Sequence, residues 1–137
     1  MNDRLVIDTS AWVEFFLGTD LGEKLRDLLS KNEIYIPFPT LTEVYYILCR
    51  LRGRTFAAKT LGKVVKSKGH IGTSISLAVE MGKIKCHRTI SLADAGVIAL
   101  TRLKEGAAVF KKKEREIKQE MEEQPLSIPF IFLEDLE

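Results

Sequence analysis

Residues 4–7 read Arg-Leu-Val-Ile, a short apolar run that a carboxylate, Asp8, brings to an end. It lacks the polar alternation of a half-exposed strand, so it suits a strand covered on both faces, as in a parallel sheet. Residues 9–18 then take helical spacing: Thr9 or Ser10 can cap the helix, Gly18 can stop it, and Trp12, Phe15 and Phe16 form an apolar stripe. The alternation recurs. Residues 20–32 predict a helix with Leu21, Leu25, Leu28 and Leu29 on one face, and residues 34–39 a strand closed by two prolines. A helix over 40–53 ends at Gly53. The next, over 54–68, is basic, with Phe56, Leu61, Val64 and Val65 inward and Lys59, Lys63, Lys66 and Lys68 solvated. Further helices are expected over 73–84 and over 91–106, the latter capped by Ser91 and stopped by Gly106. A strand at 107–110, a charged helix at 111–124 and a strand at 129–133 follow. Strands alternating with helices predict an α/β fold around a mainly parallel sheet. Without repeats or linker-like tracts, residues 1–137 are expected to form one domain.

Composition narrows the partners. The 137 residues are 45% apolar and 29% charged, as in an ordinary soluble domain, and the formal charge of +2 does not mark a general nucleic-acid binder. No apolar run nears the roughly 20 residues of a membrane span, and the N-terminus does not read as a signal peptide, so the expected location is the cytoplasm, with no membrane partner. Cys49 and Cys86 form no CxxC pair and are expected to be buried apolar residues, while His70 and His87 are expected on the surface or in loops. The Leu-Gly-Lys-Val of residues 61–64 lacks the upstream Gly and the following Ser/Thr of a phosphate loop, which argues against a nucleotide-binding protein.

Three acids occupy similar places. Asp8 follows the first strand, Glu43 lies in Thr-Leu-Thr-Glu after the second strand's prolines, and Asp94 lies in Ser-Leu-Ala-Asp at the start of a helix. Taken singly, Glu43 and Asp94 also fit capping boxes, and acids in a first helical turn are stabilised by the helix dipole. Asp8 precedes its helix, so capping explains it less well. Ligands bind open α/β sheets at the carboxyl edge, where all three acids could meet. Clustered carboxylates become protonated unless a cation offsets them, and an all-oxygen set suits Mg²⁺ or Mn²⁺.

The order LVIDTSAW, TLTEV, SLADAGVIAL resembles a PIN domain, and more narrowly the VapC type of toxin ribonuclease, over nearly the whole chain. The resemblance implies a three-layer α/β/α sandwich and hydrolysis of RNA phosphodiester bonds with Mg²⁺ or Mn²⁺ as cofactor. It makes Asp8, Glu43 and Asp94 the catalytic, metal-binding acids, and Thr9 and Ser10 the groups that position metal or phosphate. A cognate antitoxin protein and a homodimer are implied as well, with the apolar stripes of the early helices as the expected dimer surface.

The family's fourth motif, Thr-x-Asp-x-x-Phe, is replaced by Phe-Lys-Lys-Lys-Glu-Arg-Glu-Ile. Counting forward without an insertion puts Lys113 at the place of the Asp. Aligning on Ile117 puts Glu114 there, as a further metal ligand, with Glu116 nearby. Lys111, Lys112 and Lys113 are candidate RNA contacts, or a solvated helix start with Glu114 and Lys118 paired. Tyr46 or Tyr45 is a candidate for stacking on a base. Two functions follow: a metal-dependent ribonuclease acting as a toxin, or a catalytically impaired PIN-like domain that binds RNA or protein.

Overall fold

A computed structural model describes residues 3–137. In chain order the elements are β1 (Arg4–Ile7), α1 (Thr9–Leu17), α2 (Asp20–Lys31), β2 (Glu33–Pro37), α3 (Phe38–Arg52), α4 (Arg54–Lys66), β3 (His70–Gly72), α5 (Ile75–His87), α6 (Leu92–Lys104), β4 (Ala107–Phe110), α7 (Arg115–Glu123) and β5 (Phe130–Phe132), followed by a 3₁₀ turn at Leu133–Asp135. The five strands form one sheet in the order β3-β2-β1-β4-β5, and every pairing is parallel.

That order fixes where a ligand can bind. The chain moves outward from β1 through β2 to β3, then crosses back to place β4 on the other flank of β1. Crossovers are right-handed, so helices of the outward leg cover one face and those of the return leg the other. The core divides accordingly. Leu5, Ile7, Ile36 and Val109 pack against Trp12, Leu25, Val44, Leu48 and Val64 of α1–α4. Val6, Tyr35, Ala108 and Phe110 face the opposite way, against Leu77, Met81, Val97, Leu100 and Ile117 of α5–α7. Neighbouring strand residues therefore serve different layers, as the two-residue period of a strand requires. Between β1 and β4 the direction of winding reverses, and the carboxyl edge there is a topological switch point.

Local chemistry explains where the elements depart from the sequence reading. Asp8, not Thr9 or Ser10, caps α1: its side chain accepts the Ser10 backbone N–H. Gly18 closes α1 in the left-handed region (φ 72°). Helix α3 begins at Phe38, not at Thr40, because a proline is tolerated in the first helical turn, where Pro39 contributes no N–H that needs a partner. The strand at 34–39 accordingly shortens to β2. β3 went unread, since His-Ile-Gly is too short to show a period. Val65 is exposed, and Ala57, Thr60 and Val64 form the buried face of α4. At the end of α6, Glu105 rather than Gly106 adopts the left-handed cap (φ 53°), while Gly106 lies against the Arg4 carbonyl, where a Cβ would collide. Cys86 is exposed and Cys49 half-buried, so neither is the buried apolar residue expected. No helix among the described residues is long and apolar enough to cross a membrane.

Candidate metal centre

The switch point gathers the acids. Asp8 follows β1 directly, and its backbone N–H donates to the Val109 carbonyl of β4 at 2.8 Å, which fixes it between the two central strands. Asp8 is 5% exposed. One oxygen, Oδ2, accepts the Ser10 N–H at 2.9 Å and the Ser10 hydroxyl at 2.6 Å. Ser10 Oγ in turn accepts the Lys111 N–H at 3.1 Å, tying α1 to the segment after β4. Thr9 serves a different acid: its hydroxyl donates to Glu43 Oε1 at 2.6 Å.

Glu43 is not part of a capping box. Pro37 precedes α3 and makes no side-chain cap, and Glu43 lies in the second turn. Thr40 is buried with its hydroxyl unpartnered among the described residues. The other oxygen of Glu43, Oε2, accepts the Tyr46 hydroxyl at 3.4 Å. Glu43 and Tyr46 are three residues apart, the helical spacing that brings side chains together. Asp94 is capped in part: the Ser91 hydroxyl accepts its backbone N–H at 3.1 Å.

Helix α7 adds acids from the opposite side. Glu114 caps α7 by position but makes no side-chain cap bond, so its carboxylate remains available. Its charge acts on both Asp8 and Asp94, and Glu116 hydrogen-bonds to the Asp94 carboxyl. Lys113 is exposed, and its backbone N–H donates to Glu134 Oε1 at 3.2 Å. Lys111 Nζ pairs with Glu14 at 2.9 Å, and Lys112 and Lys113 are exposed in the turn before Glu114. Among the described residues no ion pair joins Glu114 to Lys118. Of the two tyrosines, Tyr45 packs against the α1–α4 core and Tyr46 is exposed.

The electrostatic consequence is a pair of reluctant acids. Burial pushes the Asp8 carboxyl up to about 6; the Ser10 hydrogen bonds oppose it, and the charges of Glu114 and Glu43 reinforce it. Asp94 is pushed up to about 9, again by burial first, then by the Glu116 hydrogen bond and the charges of Asp8, Glu116 and Glu114. At neutral pH the site therefore holds a proton that a cation would displace. Among the described residues, no group of three or more His, Cys, Asp or Glu side chains stands ready to hold a metal ion. The donor chemistry fits a hard divalent cation all the same, because Mg²⁺ is commonly held by one or two carboxylates and keeps several waters.

By sequence, the PIN domain pattern matches residues 5–119. No curated protein matches the chain by sequence. Among solved structures, the fold is similar to DNA-bound VapBC from Salmonella typhimurium (TM-score 0.72, 14% identity, 97% of this chain and 99% of that one). It is also similar to VapBC2 from Rickettsia felis bound to a promoter DNA fragment (TM-score 0.69, 16% identity, 94% and 98%). A third likeness is to VapC20 of Mycobacterium tuberculosis, a toxin that cleaves the sarcin-ricin loop (TM-score 0.64, 18% identity, 76% and 86%). At these identities the likeness establishes a common fold.

Proposed function

The chain belongs to the PIN domain family, and on that footing we propose that it is a metal-dependent ribonuclease, the toxin of a toxin–antitoxin pair. One observation carries the reading: at the switch point of a parallel sheet the buried Asp8 carboxyl feels the charges of Glu43 and Glu114, and the buried Asp94 carboxyl those of Asp8, Glu114 and Glu116. Folding alone gains nothing from two carboxyls, Asp8 and Asp94, whose burial and neighbouring charges disfavour ionisation. A cation site does.

In this reading Asp8, Asp94, Glu43 and Glu114 are the metal-binding acids. A bound Mg²⁺ or Mn²⁺ ion supplies Lewis acidity toward the phosphodiester and the attacking water. The chain's own groups hold the geometry. Ser10 orients Asp8 through two hydrogen bonds, and Thr9 fixes the rotamer of Glu43. Glu116, hydrogen-bonded to the Asp94 carboxyl, favours its protonated form, and a bound cation would favour the ionised one. Lys112 and Lys113, exposed beside Glu114, would contact substrate phosphates as point charges.

Solved relatives of this fold include toxin–antitoxin complexes, which supports an antitoxin as partner. A homodimer is also part of the proposal, but its surface moves. Helices α1 and α2 expose no large apolar residue, whereas Phe38, Ile75, Val79 and Leu92 are 50–84% exposed at or near the starts of α3, α5 and α6. The second reading, an impaired RNA- or protein-binding domain, rests on the lack of a ready-made metal cage among the described residues.

Cleavage of a mixed RNA pool with Mn²⁺ or Mg²⁺ separates the two. The nuclease reading expects cleavage that EDTA abolishes and that Asp94→Asn removes. RNA binding that survives both, without cleavage at millimolar metal, would establish the second reading instead.

A further inference from the structure

Charge is distributed very unevenly along this chain. Between Val44 and Val79 there is no Asp or Glu, yet Arg50, Arg52, Arg54, Lys59, Lys63, Lys66 and Lys68 all fall there. With seven of the 21 basic residues and none of the 19 acids in that segment, the remainder of the chain is net acidic. The overall charge of +2 conceals a strongly basic surface.

The fold gives that segment a shape. Leu61 and Val64 of α4 pack beside Thr40, Leu41 and Val44 of α3, so the two helices run antiparallel. Their joining turn, Leu51 to Arg54, is exposed at the far end of the hairpin. At a rise of 1.5 Å per residue, Arg52 lies roughly 13 Å along α3 from Glu43. All seven cations are exposed, and none is in an ion pair among the described residues, although six other cations are.

The surface is continuous with the acidic centre. Tyr46 is 38% exposed, donates its hydroxyl to Glu43, and lies under the Arg50 guanidinium at 4.8 Å. Glu43, Tyr46 and Arg50 thus form one file on α3 that leads from the carboxylates to the basic turn. On the other flank, α7 carries Glu116, Glu122 and Glu123 beside Arg115 and Lys118, so its face has no basic excess comparable to the hairpin's.

We propose that the α3–α4 hairpin is the RNA-binding track of this protein: the strand leaves the carboxylate centre over Tyr46 and runs along Arg50, Arg52 and Arg54, not across α7. This rests on the ribonuclease reading and adds the direction from which substrate is held. Exposed arginines can take phosphates bidentately, and an aromatic ring beside them offers a stacking platform.

The test is the affinity of a fluorescent 20-nucleotide single-stranded RNA in EDTA, measured across salt concentrations. The proteins are wild type, Arg50→Gln/Arg52→Gln/Arg54→Gln and Lys112→Gln/Lys113→Gln. The triple variant should bind at least about tenfold more weakly, with a salt slope about 2 units shallower, as expected for three lost contacts to a single strand. Its thermal unfolding and Mn²⁺ affinity should match wild type, and its cleavage should show a raised KM with kcat retained. Unchanged affinity and slope in the triple variant would overturn the track, as would a loss confined to the Lys112/Lys113 variant. Loss of antitoxin binding with RNA affinity intact would overturn it too, assigning the hairpin to a protein partner. Cleavage and Mn²⁺ binding by the wild type report separately on the ribonuclease reading.

Discussion

Asp8 and Asp94 approach the same edge of the sheet from opposite layers, each at the start of a helix, and they are held in different ways. Asp8 is buried deeply but has two donors on Ser10, and its carboxyl rises only to about 6. Asp94 has a carboxyl, Glu116, as its hydrogen-bond partner, and it rises to about 9. Hydrogen-bond donors offset part of the cost of burying a charge; a second acid adds to it. The α1 side of the site thus ionises more readily than the α6–α7 side, and in the proposed reading a cation would be needed to ionise the latter.

The largest expected effect comes from removing the acid on either side. Asp8→Ala and Asp94→Asn should each lower divalent-metal affinity and RNA cleavage by about 100-fold or more, read by calorimetry and single-turnover assays on protein of verified fold.

The next prediction tests what holds α7 against α6. Arg88 lies between α5 and α6, only 6% exposed, and faces Glu120 of α7 at 3.6 Å. It also donates to the carbonyls of Gln124 at 2.5 Å and Pro125 at 2.9 Å. Arg88→Met leaves Glu120 buried and unpaired and should cost about 3 kcal/mol in denaturant unfolding. Hydrogen exchange should show α7 loosened first. Equal loosening of α1 would mean that the two sides of the site are not separable.

Stability against pH sharpens the contrast. Both acids have folded values above the ordinary 3.8, so the folded state binds more protons than the unfolded one. In metal-free protein their contribution is fully present below about pH 3.8. Asp8's part is lost as pH rises through about 6, at most about 3 kcal/mol by its shift, and Asp94's as pH approaches 9. Thermal melts of Asp94→Asn without metal should match wild type near pH 4 and exceed it near pH 9. Saturating Mn²⁺ should reverse the wild-type trend, because ionised carboxylates bind it more tightly.

The smallest effect concerns Ser10. Replacing it with Ala removes the hydroxyl donor but leaves the backbone N–H on Asp8. The pH at which Mn²⁺ binding is half-developed should move upward by about one to two units, as expected for one charged hydrogen bond.

The sequence made some of this legible for local reasons. An apolar run ending in an acid placed β1 and Asp8, and Ser91 announced the start of α6 through its own side chain. Glu43 carried a false capping signal, because the proline-bearing first turn of α3 hid the true helix start. For the fourth motif the sequence offered both Lys113, by counting along the strand, and Glu114 with Glu116 nearby, by aligning on Ile117; how α7 docks onto α6, which no local pattern encodes, decides which charges reach Asp8 and Asp94. The exposed Phe38, Ile75 and Val79 were missed for a related reason: an apolar residue on a helix reads as core until the packing shows what covers it.

The most direct test is titration calorimetry with Mn²⁺ at pH 7 in two buffers of different ionisation heat, for wild type and Asp94→Asn. The account predicts saturable binding by the wild type with release of about one proton, because Asp94 with a value near 9 is protonated before the ion arrives. Asp94→Asn should bind weakly and release none. A folded wild type that fails to bind at millimolar Mn²⁺, or that binds without releasing a proton, would contradict the claim that these carboxylates form a cation site.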